Sequence, residues 1–233
     1  MPDHETVPMT DEPTQESTGR SGPGRTILLA LVGAVVLALV ASLTFGGGDP
    51  PGDPGGQETG AVAVFGEGLP AFAGTGGDAA VGRLAPDFDA TTFNGDTVQV
   101  RPGDGTGYVI AFFAHWCPHC QVEVPKLTAW IERDGIPAGV KVVAVSTAVY
   151  LDRGNLPRAW FVAEGWPELV VRDSDNSEVA DAYGLRSFPY FVVVGPDGRV
   201  RVRVSGGQPL EGWEYLLDQA TLSGASPVGS TGT

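Results

Sequence analysis

The sequence predicts an α/β layered domain with a mixed central sheet flanked by helices, preceded by one transmembrane helix. Three observations carry this. Over residues 83–222, short β-branched and aromatic runs alternate with amphipathic stretches. A Pro-Asp-Gly turn at 196–198 joins the last two runs into a hairpin. Upstream, residues 26–45 (TILLALVGAVVLALVASLTF) form a 20-residue stretch without a charge.

At about 1.5 Å rise per residue such a stretch spans about 30 Å, the thickness of a bilayer core. A cleaved signal peptide is the rival, but the run exceeds the roughly 7–15 residues of a signal h-region. An uncleaved signal anchor is the preferred reading. Arg20 and Arg25 precede the run, and the next base is Arg83, which places the N-terminus in the cytoplasm and the rest of the chain outside. Residues 1–25 are polar with net charge −3 and read as a disordered tail. Residues 46–82 hold 13 Gly, 4 Pro and five acids without a base, and read as a flexible acidic linker. Within it AVAVF (61–65) and LPAF (69–72) are apolar enough to dock on the domain. Residues 223–233 form a second polar tail.

The domain, residues 83–222, reads element by element. YVIAFF (108–113) is a buried strand. A helix follows from Cys117 to about Arg133, with Pro125 inside it. VKVVAVS (140–146) is a second buried strand. Residues 155–164 are helical, with Pro157 near the start, and 168–171 are a strand. Residues 177–184 form a short helix ending at Gly184. YFVVVG (190–195) is a strand, and RVRVRV (199–204) alternates as a half-exposed partner. Residues 210–222 close the domain with an amphipathic helix. Trp130, Trp160, Trp166 and Trp213 read as core.

Composition excludes several functions. A net charge of −14 argues against a nucleic-acid binder, which needs a basic face. Two cysteines cannot build a multi-bridge secreted scaffold. No phosphate-binding Gly-rich loop or serine triad is visible.

Both cysteines stand in Trp116-Cys117-Pro118-His119-Cys120, after a strand and at the opening of a helix. A thiolate there faces unsatisfied N–H groups and the positive end of the helix dipole. Cys117 is then the attacking sulfur and Cys120, one turn on, the more buried resolving sulfur. Pro118 suits a first turn that needs no N–H donor. His119 adds a donor or positive charge, which favours the thiolate and makes the disulfide more oxidising. The alternatives are weaker. A zinc site lacks a fourth ligand, since the only histidines are His4, His115 and His119. A c-type haem site needs histidine where Gln121 stands. A structural disulfide in so short a loop removes little entropy. No metal and no cofactor are expected.

These segments resemble the thioredoxin superfamily, and within it the membrane-anchored TlpA/ResA-like thiol–disulfide oxidoreductases. The resemblance rests on Ala85-Pro86-Asp87-Phe88 with Asn94-Gly95, on FFAHWCPHC (112–120), on Glu123 and Pro125, and on YGLRSFPYFVVVGPDGRV (183–200). It implies a thioredoxin fold with Pro189 as a cis-proline facing the disulfide and Phe188 in the substrate groove. It implies thiol- or disulfide-bearing exported proteins as clients and a membrane electron donor or acceptor as partner. Many relatives carry an acidic or amide residue six positions before the first cysteine, where this chain has Ala111. Glu123 is then a candidate proton relay, although a solvated or helix-pairing role is the simpler reading. Trp116 reads as a wall of the groove and His115 as a surface residue. The scaffold suggests a reductase, whereas the CPHC dipeptide suggests an oxidising couple. Two alternatives stay open. One is a redoxin-type peroxidase, which Ala114 disfavours because that branch carries Thr or Ser there. The other is a metal- or copper-handling module.

Overall fold

The computed structural model describes residues 57–74 and 77–224 of the 233. The expected tail 1–25, the apolar run 26–45 and residues 225–233 lie outside the described residues. Among the described residues no helix is long and apolar enough to cross a membrane.

The elements run β1 (Ala63–Phe65), β2 (Asp87–Thr91), β3 (Thr97–Val100), β4 (Gly107–Phe113), α1 (Pro118–Asp134), β5 (Val140–Ser146), α2 (Pro157–Ala163), β6 (Leu169–Arg172), α3 (Glu178–Ala182), β7 (Tyr190–Val194), β8 (Val200–Ser205) and α4 (Leu210–Thr221). Eight strands form one sheet in the order β1-β2-β6-β5-β4-β7-β8, with β3 paired to β2. Strand β4 runs parallel to β5, with Ile110 opposite Val143, and antiparallel to β7, with Ile110 opposite Val192. Strands β5 and β6 are parallel, and β7 and β8 form the expected hairpin. The mixed α/β plan is as the sequence predicts.

Every residue of β4 and β7 is buried. Their unbroken apolar runs follow, because both faces of the central strands are covered. Val109, Ala111 and Phe113 point into a core with α1, α2 and α4, through Leu127, Phe161, Trp213 and Leu217. Tyr108, Ile110 and Phe112 point into a second core with α3, through Val179 and Tyr183. All four expected core tryptophans pack into the first of these cores. Helix α4 lies so close to the start of β4 that a Cβ on Gly107 would stand 2.0 Å from the Ala220 carbonyl oxygen. Only glycine fits there.

Two features differ from the sequence reading. First, the packed domain begins before residue 83. Strand β1 pairs with β2, and Leu69 and Ala80 are buried. Residues 57–74 lie across the second core as a strap. Its carbonyls at Gln57, Thr59 and Pro70 accept hydrogen bonds from Arg172 and Arg203, and its Leu69 and Phe72 amides donate to Ala182 and Gly184. AVAVF and LPAF dock as the sequence suggests; the glycine-rich composition hid the extent of the strap, because one held by its backbone needs few apolar side chains. The strands β2 and β3 were also missed. Each is short and apolar on one face only, through Phe88, Ala90, Val98 and Val100.

Second, β8 is not half-exposed in the expected sense. Val200, Arg201 and Arg203 are its buried residues, while Val202 and Val204 are only partly buried against the first core. Arg203 is covered by the strap. It donates to Asp78 at 2.8 Å, to the Pro70 and Tyr183 carbonyls, and lies over the Phe72 ring. Burial works against the Asp78 carboxylate, but the hydrogen bonds from Arg203 and the Ala80 amide, with the Arg203 charge, outweigh it and hold its pKa below the usual value.

Arg203→Met should cost about 3 kcal/mol by leaving Asp78 without its partner, read as a lower urea midpoint. The Asp78 contribution should also depend on pH. Its folded pKa lies below the unfolded one, so the stabilisation is present above about pH 4 and is lost as pH falls through the folded value. The stability gap between the wild type and Asp78→Asn should therefore narrow on acidification.

Candidate active site

Strand β4 ends at Phe113, and Cys117 is the N-cap of α1, with φ −78° and ψ 121°. Its amide donates to the Ala114 carbonyl at 3.0 Å, which closes the turn between strand and helix. Pro118 occupies the first helical turn, where a missing N–H leaves nothing unsatisfied. No side chain caps α1 and no acid stands in its first turn, so the positive helix end is presented to Cys117 itself. Pro118 and His119 are exposed.

Both thiols are free, and their environments differ. Cys117 is 7% exposed at the helix mouth, and Cys120 is 0% exposed beneath it. Burial raises the pKa of the Cys120 thiol far above that of a free cysteine. A bond to the Ala114 backbone opposes this, and the charge and hydrogen bonding of Cys117 and the charge of Glu123 add to it. Cys120 is therefore a protonated thiol at neutral pH.

Glu123 is buried, not solvated. One oxygen accepts from Lys126 Nζ at 2.6 Å in an i,i+3 pair. The other accepts from the Gln208 amide at 3.0 Å. The helix-pairing half of the sequence reading therefore stands. The solvated half fails because the 206–208 turn covers the carboxylate, so closely that a Cβ on Gly207 would stand 3.0 Å from it. Ala111, the position lacking the family's polar group, is fully buried in the first core, as is Ala114.

Trp116 is partly buried. Its indole N–H donates to the Ala148 carbonyl at 2.7 Å, and its ring stands edge-on to Phe188 at 6.1 Å. Phe188 precedes Pro189 across a cis peptide bond, so the 188–189 turn adjoins the residue before Cys117. His115 is 3% exposed, and its expected surface position is corrected. It bridges two points of the 147–156 loop. Nδ1 lies 2.7 Å from the Asn155 carbonyl, and Nε2 accepts from the Tyr150 amide. The neutral tautomer with its proton on Nδ1 satisfies both contacts.

That loop was not legible as part of the site. Tyr150 packs on Trp116 at 5.4 Å, and Arg153 lies over both rings. The available signal was length: ten residues separate β5 from α2, more than the usual connection of about 2–6. Among the described residues no group of three or more His, Cys, Asp or Glu side chains converges to hold a metal.

The profile of the AhpC/TSA family matches residues 81–203, more than half of the chain. The chain belongs to the AhpC/TSA family. Within the AhpC/TSA family its sequence is similar to the thiol-disulfide oxidoreductase ResA of Oceanobacillus iheyensis, 32% identical over 145 residues, covering 60% of this chain and 73% of the relative. ResA of Bacillus subtilis (strain 168) is 29% identical over 130 residues, covering 54% of this chain and 67% of that one. Two solved structures share the thioredoxin-like fold. The thioredoxin domain of a thiol-disulfide oxidoreductase from Bacteroides vulgatus has a TM-score of 0.51 and 19% identity, covering 62% of this chain and 100% of that one. A thioredoxin-family thiol:disulfide interchange protein from Chlorobium tepidum has a TM-score of 0.50 and 22% identity, covering 62% and 99%. With its C-x-x-C pair at the helix mouth, this AhpC/TSA-family protein is a thiol–disulfide oxidoreductase of the ResA type.

Brief iodoacetamide treatment of the reduced, folded protein near neutral pH should leave Cys120 unmodified, and denaturation should expose it; peptide mapping reads the result. His115→Ala should speed hydrogen exchange at the Tyr150 amide, which loses its acceptor.

Proposed function

We propose that this protein exchanges disulfides with exported client proteins, with Cys117 as the attacking sulfur and Cys120 as the resolving sulfur. The observation that carries this is the asymmetry of the pair. One sulfur lies at the uncapped mouth of α1, and the other is buried and held as a thiol. In the reducing direction the Cys117 thiolate attacks a client disulfide. A bond forms between Cys117 and the client, and the client's second sulfur leaves as a thiolate and takes a proton. Cys120 then loses its proton and attacks the Cys117 sulfur, releasing the client as a dithiol and leaving the Cys117–Cys120 disulfide. Two electrons pass from the pair to the client, and the reverse sequence oxidises.

Glu123 is the acceptor for the Cys120 proton in this reading. It is the carboxylate whose charge reaches that thiol, and its two oxygens accept from Lys126 and the Gln208 amide. Trp116, Phe188 and Pro189 line the groove in which a client segment lies, and Pro118 and His119 tune the couple. Residues 26–45 hold the domain at the outer face of the cell membrane, where a membrane electron donor or acceptor recycles it. The TlpA/ResA-like scaffold favours the reducing direction, while the histidine at 119 favours an oxidising couple.

Cys120→Ser should accumulate clients disulfide-linked to Cys117 on non-reducing gels, and Cys117→Ser should abolish insulin reduction. Glu123→Gln should slow the resolving step and so lengthen the life of the mixed disulfide, with the first attack unchanged. The reduction potential decides direction: about −270 mV or lower means a reductase, and about −120 mV an oxidase. Rapid peroxide consumption requiring Cys117 would favour a peroxidase instead.

A further inference from the structure

The 147–156 loop places one guanidinium against Trp116, the residue before Cys117. Arg153 lies 5.2 Å from the Trp116 ring centroid and 4.6 Å from that of Tyr150. Trp116 immediately precedes Cys117. The loop is pinned on both sides of the ring stack. Its Ala148 carbonyl accepts the Trp116 indole N–H, its Tyr150 amide donates to His115, and the Arg153 amide donates back to the Tyr150 carbonyl at 3.1 Å. Ala148 takes the left-handed conformation, φ 49°, to present that carbonyl.

Most other arginines of the domain spend their N–H groups internally; exposed Arg186 also makes no hydrogen bond or ion pair among the described residues, but unlike Arg153 it is stacked on no ring. Arg172 and Arg203 donate to carbonyls, and Arg101, Arg201 and Arg203 donate to carboxylates. Among the described residues the Arg153 guanidinium makes no hydrogen bond and no ion pair; its contacts are the two rings. It is exposed, and residues 83–222 carry 18 acids against 12 bases. Stacking restrains a long side chain that would otherwise lose rotamer freedom on binding, and it leaves the donor fork open at the edge. A planar fork of this kind matches a carboxylate with two parallel hydrogen bonds.

We propose that Arg153 is a specificity-determining residue that pairs with a carboxylate next to the reactive cysteine of a client. The occupant is an extended client segment with Asp or Glu beside its cysteine. The proposal rests on Cys117 as the attacking sulfur, and Arg153 takes no part in the electron transfer. It orients the client sulfur toward Cys117 and selects against clients with a base in that position.

The test uses the reduced full-length chain and two peptides that differ only in Asp or Lys beside one cysteine. Each peptide cysteine is linked to thionitrobenzoate. Attack by Cys117 on the peptide sulfur forms the mixed disulfide and releases the coloured thiolate, and Cys120 then frees the peptide. In this single turnover the Asp peptide should release the chromophore about tenfold faster at low salt and low peptide concentration, through tighter binding, with the gap closing as salt rises. Arg153→Gln should abolish the preference, Arg153→Lys should restore part of it, and Arg153→Glu should reverse it. A merely structural arginine would not reverse the preference on charge inversion. Equal rates in the wild type, or an unchanged preference in Arg153→Glu, would overturn the role of Arg153 alone. Failure of both peptides to release the chromophore would remove the Cys117 reading, and the Arg153 proposal with it.

Discussion

The seven residues of β4 are buried on both faces, and that constraint fixes where the strand ends and where α1 begins. Alternate side chains commit to two different cores, so the strand cannot shift by one residue without exchanging Val109, Ala111 and Phe113 for Tyr108, Ile110 and Phe112. Pairing with β5 on one side and β7 on the other removes the remaining freedom. The turn from Phe113 to Cys117 is therefore held at a set height above the sheet, and the cap of α1 inherits that position. Helix α4, pressed against Gly107, closes the other end of the same strand.

The second organising element is the strap. Its composition would suit a free linker, yet its backbone carbonyls accept hydrogen bonds from two buried guanidinium groups. Arg172 and Arg203 could not be buried on these strands without those acceptors, since a desolvated cation needs partners on its N–H groups. The strap and the arginines of the sheet are thus mutually dependent. Strands β6 and β8 carry charged residues where apolar ones would otherwise be expected, because an irregular backbone covers them.

How much of this was legible in the sequence depends on what kind of signal each part gives. Strands β4, β5 and β7 announced themselves, because burial on both faces demands unbroken apolar runs. The helix after Cys117 was readable from Pro118 and from the apolar Val122, Leu127, Trp130 and Ile131, although Val122 is exposed and Val124 takes the buried position. Strands β1 to β3 were not, since short one-faced strands alternate over too few residues to separate from loop. The cysteine pair was explicit in the sequence. Its neighbours were not, since Tyr150 and Arg153 reach the site only through a loop folded back by His115 and Trp116. No local pattern encodes such a contact across more than thirty residues. The buried state of Glu123 was equally hidden, because it depends on a turn near residue 207 that arrives from the far end of the chain.

The deep placement of Cys120 has a consequence for timing. In the proposed exchange a client linked to Cys117 would not reach the second sulfur itself, because Cys120 is fully buried. Release waits for a proton to leave an interior thiol. The lifetime of the covalent complex then becomes a property of the protein and not of its cargo. Under that exchange, clients of very different shape would be held for a similar interval, set by Cys120 and Glu123 within the first two turns of α1.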